Sequence, residues 1–518
     1  MSVSELDGVA KPSISGPFYE TTSAREEEPR GGGEEDGTNP TLHAKRVWMN
    51  EMQQRRLNGE YETFGRRLEE IVADSRDSPA RLSAVRVNGS TLRSSFLAAV
   101  FRPYLNDAGA DGVHNSTLAD VLRKSRDVHH TLTAFDHFAG IEMALEPAQS
   151  VLAQHGDVDL AMGVRERGKL WAKSSTDVGS GEGSANVSVR VRNLLGGLEN
   201  LEGQASWGTR TTSAFHLAYT SPVPEFICTP SPNTQLNAQV FQAERDHSAY
   251  AGVKEGTVGA RCGWSSTQKH GSHHVSYEAA WRSLHSLHPL ASLSLRDAAG
   301  SSVKSAVAHT FTHDSRDDIH MSTRGAYVNS LVEYAGLGGS VSFLKGQLQM
   351  YVARPIDSAL NNFLALSFRA GGLLPMGGDG SVSDENTHAK LFSDRFRLGG
   401  PTSVRMFGHN RMGPRDGEDH LGGDVFYSGG VSVITPFPTK PQWNLKCQGF
   451  VNAGQLVSLK NVDLWGALLK PSMSVGVGMV YRFTPIRVEL NLGVPVIAAT
   501  TDVSTTRPIQ LGVGMEYL

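Results

Sequence analysis

The chain has 518 residues, which is enough for two or three domains or for one large closed β structure with a small domain. Its formal net charge of −4 creates no global field that would attract nucleic acid, and its three widely spaced cysteines argue against a disulfide framework or a zinc site. No stretch approaches the ~18 consecutive apolar residues of a membrane helix, so any part that spans a membrane is expected to be a β-barrel.

The first 78 residues are predicted to stand apart from the folded domains. Residues 1–42 are poor in apolar side chains and contain runs of Glu and Gly, which predicts a disordered acidic tail. This N-terminus lacks the charged-then-apolar pattern of a secretory signal, and it is acidic where a mitochondrial presequence is basic. Residues 43–78 carry apolar side chains at a spacing of three to four, which predicts a helical segment that packs on the next domain.

Residues 80–168 predict a small α+β domain. A strand that ends at Asn88-Gly89 is followed by two amphipathic helices and two further strands, in the order β-α-α-β-β. Thr117 with Asp120 is typical of the capping box that begins a helix. Two helices on one face of a three-stranded sheet leave a free sheet edge, and such an edge could accept an extended peptide.

Residues 169–518 change in character to short alternating strands between polar turns. In Val475–Phe483 one face is uniformly apolar, whereas the other carries glycine and Arg482; Ile509–Tyr517 repeats the pattern. Alternation alone also fits a soluble sandwich. About sixteen such segments, each near ten residues, give the even strand number that membrane barrels require. The pattern therefore predicts a membrane β-barrel of about 16 antiparallel strands, with its apolar face toward lipid and its charges in the lumen.

One connection between these strands is unusually long. Residues 371–423 form a linker of about fifty residues, compared with a usual ~4–6, which indicates either a functional loop or disorder. Paired glycines at both ends, and a single arginine between apolar neighbours, are typical of fixed backbone positions rather than of disorder. We therefore expect an ordered loop. Its candidate residues are Gly399, Gly400, Val404, Arg405, Phe407, Gly422 and Gly423.

An ordered set of motifs resembles the bacterial-surface-antigen superfamily of outer-membrane insertases, in its branch that forms the central barrel of the mitochondrial sorting and assembly machinery. The motifs are Arg192–Glu199, Arg324-Gly325, Glu333–Gly336, Asp394–Arg405, Leu421–Asp424, Phe450–Gly454 and Tyr481–Phe483. The resemblance covers about residues 80–518, and it implies that the small α+β domain is a single POTRA domain.

The resemblance also implies that the loop 371–423 folds back into the barrel lumen, with Arg405 at its tip as the anchor. In the family the tip reads Arg-Gly-aromatic; here it is Arg405-Met406-Phe407, and methionine makes a positive φ costly where glycine would not. The family partner of the arginine is an F-x-D motif on strand thirteen, which here reads Phe450-Val451-Asn452. Arg405 is therefore expected to bind Asn452 through a hydrogen bond, which is weaker than the charge-assisted pair.

The last strand resembles the sorting signal of mitochondrial barrel proteins, polar-x-Gly-x-x-hydrophobic-x-hydrophobic. The matching residues are Gln510, Gly512, Met515 and Tyr517. Glycines on the lumenal side pack few side chains, so pairing with the first strand should be weak and the edge should open to template an incoming strand. The first gate strand is expected to present Val189, Val191, Asn193 and Leu194.

The resemblance implies a protein that inserts and assembles β-barrel precursors in the mitochondrial outer membrane, with its N-terminal domain in the intermembrane space. The implied partners are unfolded β-barrel precursors, other subunits of the machinery and membrane lipids, with no nucleic acid and no cofactor or metal. The alternative is a protein-conducting pore of the same superfamily.

An enzyme is not expected from the sequence. His270, His273 and His274 lack a second set of metal ligands, and Asp314–Asp318 has the composition of a solvated turn.

Overall fold

The computed structural model describes residue 49 and residues 71–518 apart from 106–115, 152, 180–181, 225–228, 320, 358–361, 377–389, 439–442, 461–463, 484–485 and 515–518. The predicted tail at residues 1–42 lies outside this part of the chain, as does most of the predicted helical segment 43–78. No helix in the described part is both long and apolar enough to cross a membrane.

A small α+β domain comes first, and its element order β-α-α-β-β confirms the prediction. The elements are β1 (Arg81–Asn88), α1 (Ser94–Leu105), α2 (Leu118–Ala134), β2 (Phe138–Pro147) and β3 (Asp157–Glu166). Strand β3 lies between the other two, parallel to β1 and antiparallel to β2. Strands β1 and β2 are thus the two edges of the three-stranded sheet.

Hydrophobic burial and a helix cap stabilise this domain. Val128 of α2 packs with Leu160 and Met162 of β3, and all three side chains are buried. Thr117 forms the predicted capping box: its Oγ1 accepts from the backbone N–H of Asp120 at 3.4 Å, and Asp120 Oδ2 accepts from the N–H of Thr117 at 3.3 Å. Such a cap stabilises a helix by about 1 kcal/mol.

The rest of the chain forms one antiparallel sheet of 16 strands, which confirms the predicted strand number. Each strand pairs with the next strand of this sheet along the chain, and the two strands that flank the long loop pair with each other. The strands are β4 (Leu170–Gly179), β5 (Glu182–Arg192), β6 (Asn200–Gly208), β7 (Thr211–Pro222), β8 (Thr234–Asp246), β9 (Lys254–Gln268), β10 (Gly271–His285), β11 (Gly300–Asp314), β12 (Gly325–Ala335), β13 (Phe343–Asp357), β14 (Asn362–Pro375), β17 (Val425–Pro436), β18 (Leu445–Val457), β19 (Ser472–Phe483), β20 (Ile486–Ile497) and β21 (Ile509–Gly514).

The two faces of the sheet have opposite chemistry. Val477 of β19 is 63% exposed, whereas Glu489 and Asn491 of β20 are completely buried. The apolar side chains thus lie on the outer face and the charged side chains on the inner face, as a membrane barrel requires.

Short elements occupy the connections between strands. They are α3 (Leu293–Ala298), the two-residue strands β15 (Arg415–Asp416) and β16 (Asp419–His420), α4 (Leu464–Leu468) and a 3₁₀ turn (Val503–Thr505). The long loop begins after Pro375, because residues 371–375 continue β14 in register with β13. The predicted start of the loop at residue 371 is therefore wrong by five residues.

The predicted first gate strand is wrong. Val189 and Val191 lie in β5, the second strand of the sheet, while Asn193 and Leu194 lie in the turn that follows it. The first strand is β4, which pairs with β5 from Leu170 opposite Val191. Its central residues, Lys173–Asp177, are polar or charged. Strand β4 therefore lacks the apolar alternation that identifies the other strands in the sequence.

Candidate functional site

The base of the long loop is closed by its paired glycines. Phe396 and Gly423 exchange two backbone hydrogen bonds, of 2.9 and 3.0 Å. Gly422 has φ +75°, and a Cβ there would lie 2.7 Å from the carbonyl oxygen of Phe396. A Cβ on Gly400 would lie 2.8 Å from His409 Nδ1. These predicted glycines are needed because the loop folds closely against itself.

Arg405 is a buried anchor at the loop tip. Its Nε and Nη2 both donate to Glu489 Oε2, at 3.3 Å each, and its guanidinium lies 5.1 Å from the ring centre of Phe450. The side chains of Arg405 and Glu489 are 4% and 0% exposed. Its backbone carbonyl accepts from Ser474 Oγ at 2.8 Å. The tip is therefore bound to β18, β19 and β20 together.

The predicted partnership with Asn452 is wrong in its chemistry. Asn452 contacts the backbone of Arg405: in the amide orientation that satisfies both polar atoms, its oxygen accepts from the Arg405 N–H at 3.3 Å. The guanidinium instead pairs with Glu489, a carboxylate on strand fifteen. The predicted contact with Phe450 is present as a cation–π interaction.

Glu489 is the main residue that the sequence analysis missed. Gln448 Nε2 and Asn491 Nδ2 donate to its Oε2 at 3.3 and 3.1 Å, and Arg487 pairs with its other oxygen. Its signal in the sequence is an acid between Arg487 and Asn491 on the charged face of a barrel strand.

Met406 stands at the position where the family motif has glycine. Its φ is +70°, a left-handed conformation that costs about 1–2 kcal/mol for a residue with a Cβ. The side chain is fully buried, and its sulfur lies 3.0 Å from the position that a Cβ on Gly493 would take. Its carbonyl accepts from the N–H of Arg507 at 2.8 Å. Packing and this bond offset the strain.

The loop tip is also bonded to the last strand. Gln510 of β21 accepts through Oε1 from the N–H of Met406 at 3.1 Å and donates through Nε2 to the carbonyl of Phe407 at 3.0 Å. Just before β21, Phe407 forms a bridge with Thr506, and the N–H of Gly408 donates to the carbonyl of Thr505 at 2.8 Å. The residue that begins the sorting-signal match is thus part of the loop's attachment.

A second anchor binds the loop to the opposite part of the sheet. Asp394 lies 3.0 Å from Arg282 of β10 and 3.7 Å from Lys304 of β11, and its carbonyl accepts from Lys345 of β13 at 2.8 Å. Arg405 contacts the other end of the strand order. Because one loop contacts strands that are far apart in the sheet, the sheet must curve around it.

Among the described residues, no hydrogen-bonded ladder joins the two end strands at the seam. Strands β4 and β21 have Cα atoms within 8 Å of each other, but no ladder bonds join them among the described residues. Six described residues of β21 pair with β20, and Gly512 lies on the buried face beside Gln510. The other two signal residues, Met515 and Tyr517, lie outside the described residues.

The turn between β5 and β6 docks the small domain. Asn193 Nδ2 donates to Thr91 Oγ1 at 2.9 Å, and Glu199 accepts from Arg93 Nη2 at 2.9 Å. Leu198 is 6% exposed and belongs to the hydrophobic core of the small domain. Asn193, which was predicted for the gate, therefore helps to hold the small domain on the barrel.

The histidines and aspartates of the enzyme alternative have structural surroundings. His273 stacks on His309 with ring centres 5.5 Å apart, and no group of three or more candidate metal ligands occurs within the described ranges. Asp314 pairs with Arg316, and Asp317 Oδ1 accepts from the N–H of Thr323 at 3.0 Å. These carboxylates organise a turn.

Comparison with known proteins identifies the class. Residues 193–517 match the Omp85 superfamily domain. A SAM50-like protein of Schizosaccharomyces pombe is 31% identical over 475 residues, covering 88% of this chain and 94% of its own. The human sorting and assembly machinery component 50 homolog is 30% identical over 414 residues, covering 77% of this chain and 84% of its own. The chain belongs to the Omp85 superfamily and, within it, to the family of SAM50 proteins, which confirms the predicted resemblance.

A solved structure supports the architecture. BamA from Haemophilus ducreyi, in a form that lacks POTRA domains 1–3, superposes with a TM-score of 0.66 at 18% identity and covers 84% of each chain. At this identity the likeness shows a shared fold: a small α+β domain before a 16-stranded barrel.

Proposed function

We propose that this protein inserts and assembles β-barrel precursors in the mitochondrial outer membrane, without cofactor or covalent chemistry. Membership in the SAM50 family supports this function, because the human relative is named as a component of the sorting and assembly machinery. The observation that carries it is the seam, where β4 and β21 lie side by side without a described ladder.

We infer that precursors enter at this seam by strand exchange. An unpaired strand edge inside a bilayer leaves backbone N–H and C=O groups without partners, at a cost of several kcal/mol per group. A terminal precursor strand that pairs with β4 in place of β21 satisfies those groups. Each further precursor strand then pairs with the precursor strand before it as a β-hairpin. The free energy of assembly therefore comes from the backbone hydrogen bonds and the lipid-facing side chains of the precursor itself.

The small α+β domain is proposed to meet precursors in the intermembrane space. Its edge strands β1 and β2 each pair with β3 on one side only, which leaves the other side for an extended peptide. Other subunits of the machinery and membrane lipids are the remaining proposed partners, and no nucleic acid is involved. A protein-conducting pore is less well supported, because the loop is anchored on opposite parts of the sheet.

Depletion followed by import tests the proposal. Mitochondria depleted of this protein should import radiolabelled β-barrel precursors but fail to assemble them into carbonate-resistant form, and re-expression should restore assembly. A matched α-helical outer-membrane protein should insert normally in both cases. Undiminished barrel assembly after depletion would contradict the proposal.

A further inference from the structure

We propose that the outer wall of the barrel binds one phospholipid in a groove beside α4, with an acyl chain against β12, β13 and β14 and the phosphate at Lys470. The groove has a volume of about 750 Å³ and lies on the lipid-facing side of the sheet. This inference rests on the barrel lying in a membrane and is independent of strand exchange, so either can fail without the other.

Two glycines form the floor of the groove. Gly346 of β13 and Gly372 of β14 lie directly opposite each other, between Val332 of β12 and Val425 of β17 in the same row. Val332 is 50% exposed, so this row faces outward. Apart from its own chain neighbours, a Cβ on either glycine would meet no described atom within 4 Å. The wall is therefore open at the place where two side chains would otherwise fill it.

Helix α4 forms one side of the groove. It lies in the connection between β18 and β19, and Tyr427 of β17 holds it on the outer wall by donating from Oη to the carbonyl of Leu468 at 2.6 Å. Trp465 and Leu469 line the groove and are 77% and 80% exposed. The helix thus stands beside the glycine floor, and together they make a concave apolar site on the outside of the barrel.

The position of the groove selects an acyl chain as its occupant. The outer face of a membrane barrel borders the hydrocarbon of the bilayer, so lipid chains are the molecules that surround this site. A chain in the groove contacts the floor and the helix at the same time. It therefore gains more dispersion contacts than a chain that lies against the convex wall elsewhere, and it should exchange more slowly.

The end of α4 supplies a charge for the headgroup. Strand β18 is the thirteenth of the antiparallel sheet, so it runs in the direction of the first strand, away from the small domain, and α4 lies at the far end of the barrel. Lys470 follows Leu469 directly and is exposed. A lysine at a membrane interface extends its ammonium toward lipid phosphates. The occupant is thus a phospholipid of the leaflet remote from the small domain.

Photolabelling of the full-length protein tests the site. The protein is reconstituted in phosphatidylcholine vesicles that contain a trace of phosphatidylcholine with a diazirine on one acyl chain, and labelled peptides are mapped after illumination. Peptides from α4 and from the outer faces of β12, β13 and β14 should be labelled about fivefold more than those of β7 and β8, because a bound chain stays against them.

Filling the floor should abolish this excess. Gly346→Val together with Gly372→Val places side chains in the open space, so labelling of the groove peptides should fall to the level of β7 and β8. Gly449→Val is the matched control. Gly449 pairs with Val477, which is 63% exposed, and a Cβ there also has open space, but this glycine does not line the groove. The control should be labelled like the wild-type protein.

The headgroup is tested separately with Lys470→Gln. Labelling of the groove by the phosphatidylcholine probe should fall by about fivefold. Labelling by a diacylglycerol probe with the same diazirine chain should stay unchanged, because this probe has no phosphate. Equal loss with both probes, or no loss with either, would overturn the assignment of the phosphate to Lys470.

Two results would overturn the lipid site itself. One is equal labelling of the groove and of β7 and β8 in the wild-type protein, which would leave the groove to bulk lipid or to a helix of a companion subunit. The other is undiminished labelling after both glycines are replaced. Neither result bears on strand exchange, since the vesicles contain no precursor.

Discussion

Arg405 holds the loop tip through a charge that is buried with its partner. The pair with Glu489 lies in a site that is almost inaccessible to solvent, and Phe450 covers one face of the guanidinium. Removing one partner of a buried pair costs about 3–5 kcal/mol, because the other charge is left uncompensated. In the absence of Arg405, Arg487 still pairs with the Glu489 carboxylate, so the cost of losing Arg405 should lie at the lower end of this range.

Arg405→Ala should therefore reduce precursor assembly more than it reduces the amount of folded barrel. The loop tip loses its bonds to β20, while the sheet keeps its ladder. The measurement is assembly of imported precursor normalised to the level of the variant in the membrane. Arg487→Ala is the matched control, since it removes the other arginine that pairs with Glu489. Equal losses of abundance and assembly in Arg405→Ala would mean that the loop is a structural plug only.

We expect the closed position of the loop to depend on pH through His409. Burial, together with the charge of Arg210, lowers the pKa of His409 from 6.5 to about 4. The open loop has the ordinary pKa and binds a proton more readily, so the closed loop is favoured fully above pH 6.5. This preference is lost as the pH falls from 6.5 toward 4.

Cleavage of the loop at Arg411 by an added protease should thus accelerate as the pH falls below 6.5, by at most about tenfold per pH unit. The glutamine of the His409→Gln variant does not titrate. The cleavage rate of this variant should therefore change with pH only as the activity of the protease changes. A wild-type profile that follows the His409→Gln profile would show that this histidine does not control the loop.

The sequence located Arg405 but not its partner, for a physical reason. Residues on β18 and β20 come together on the inner face only because β18, β19 and β20 pair side by side. The alternation of apolar and polar residues in the sequence predicts which face a residue lies on, but it does not predict the register between neighbouring strands. Family resemblance supplied the Phe450 contact and pointed to Asn452. The role of Glu489 on β20 is visible only in the folded structure.

At the scale of elements, the turn between β5 and β6 fixes the small domain on the barrel. Glu199 is 3% exposed; it accepts from the N–H of Gly197 at 2.8 Å and pairs with Arg93 of the small domain. Both the shape of the turn and the domain contact therefore depend on one carboxylate.

Glu199→Ala should loosen the small domain while the sheet stays intact. The connection between β3 and β4 contains Arg167 and Lys169, so trypsin should cut there faster in the variant. Glu202→Ala is the control, because Glu202 pairs with Arg190 across β5 and β6 within the barrel. Similar cleavage of Glu199→Ala and the wild-type protein would contradict the docking role.

This turn also shows where sequence reasoning failed. Its motif was assigned to the first strand because β4 is too polar to be recognised by apolar alternation. The helices and strands of the small domain were predicted correctly, since capping and amphipathic spacing are local signals. The strand number of a motif in a barrel depends on how many strands precede it, and this information is not contained in the motif itself.

Around the full sheet, the hydrogen-bonded ladder of the described residues runs from β4 to β21 and is not continued between these two strands. Fifteen strand pairs join β4 to β21 in sequence, while the two end strands have no described ladder between them. The loop meanwhile contacts both parts of the sheet and the segment just before β21. The barrel sheet is thus held together by backbone hydrogen bonds between neighbouring strands, and the seam between β4 and β21 lies next to the loop tip.

A disulfide across the seam is the most direct measurement of strand exchange. Cys228, Cys262 and Cys447 are first replaced by serine. A cysteine at Leu511 of β21 is then combined with one at Ala172, Lys173 or Ser174 of β4, and the pair that cross-links is kept. A cysteine pair at Ala172 and Val189, which face each other across β4 and β5, is the control that leaves the seam free. Oxidation of the seam pair should block assembly of imported precursors and reduction should restore it, with the control unaffected by either. Normal assembly through an oxidised seam would contradict the account.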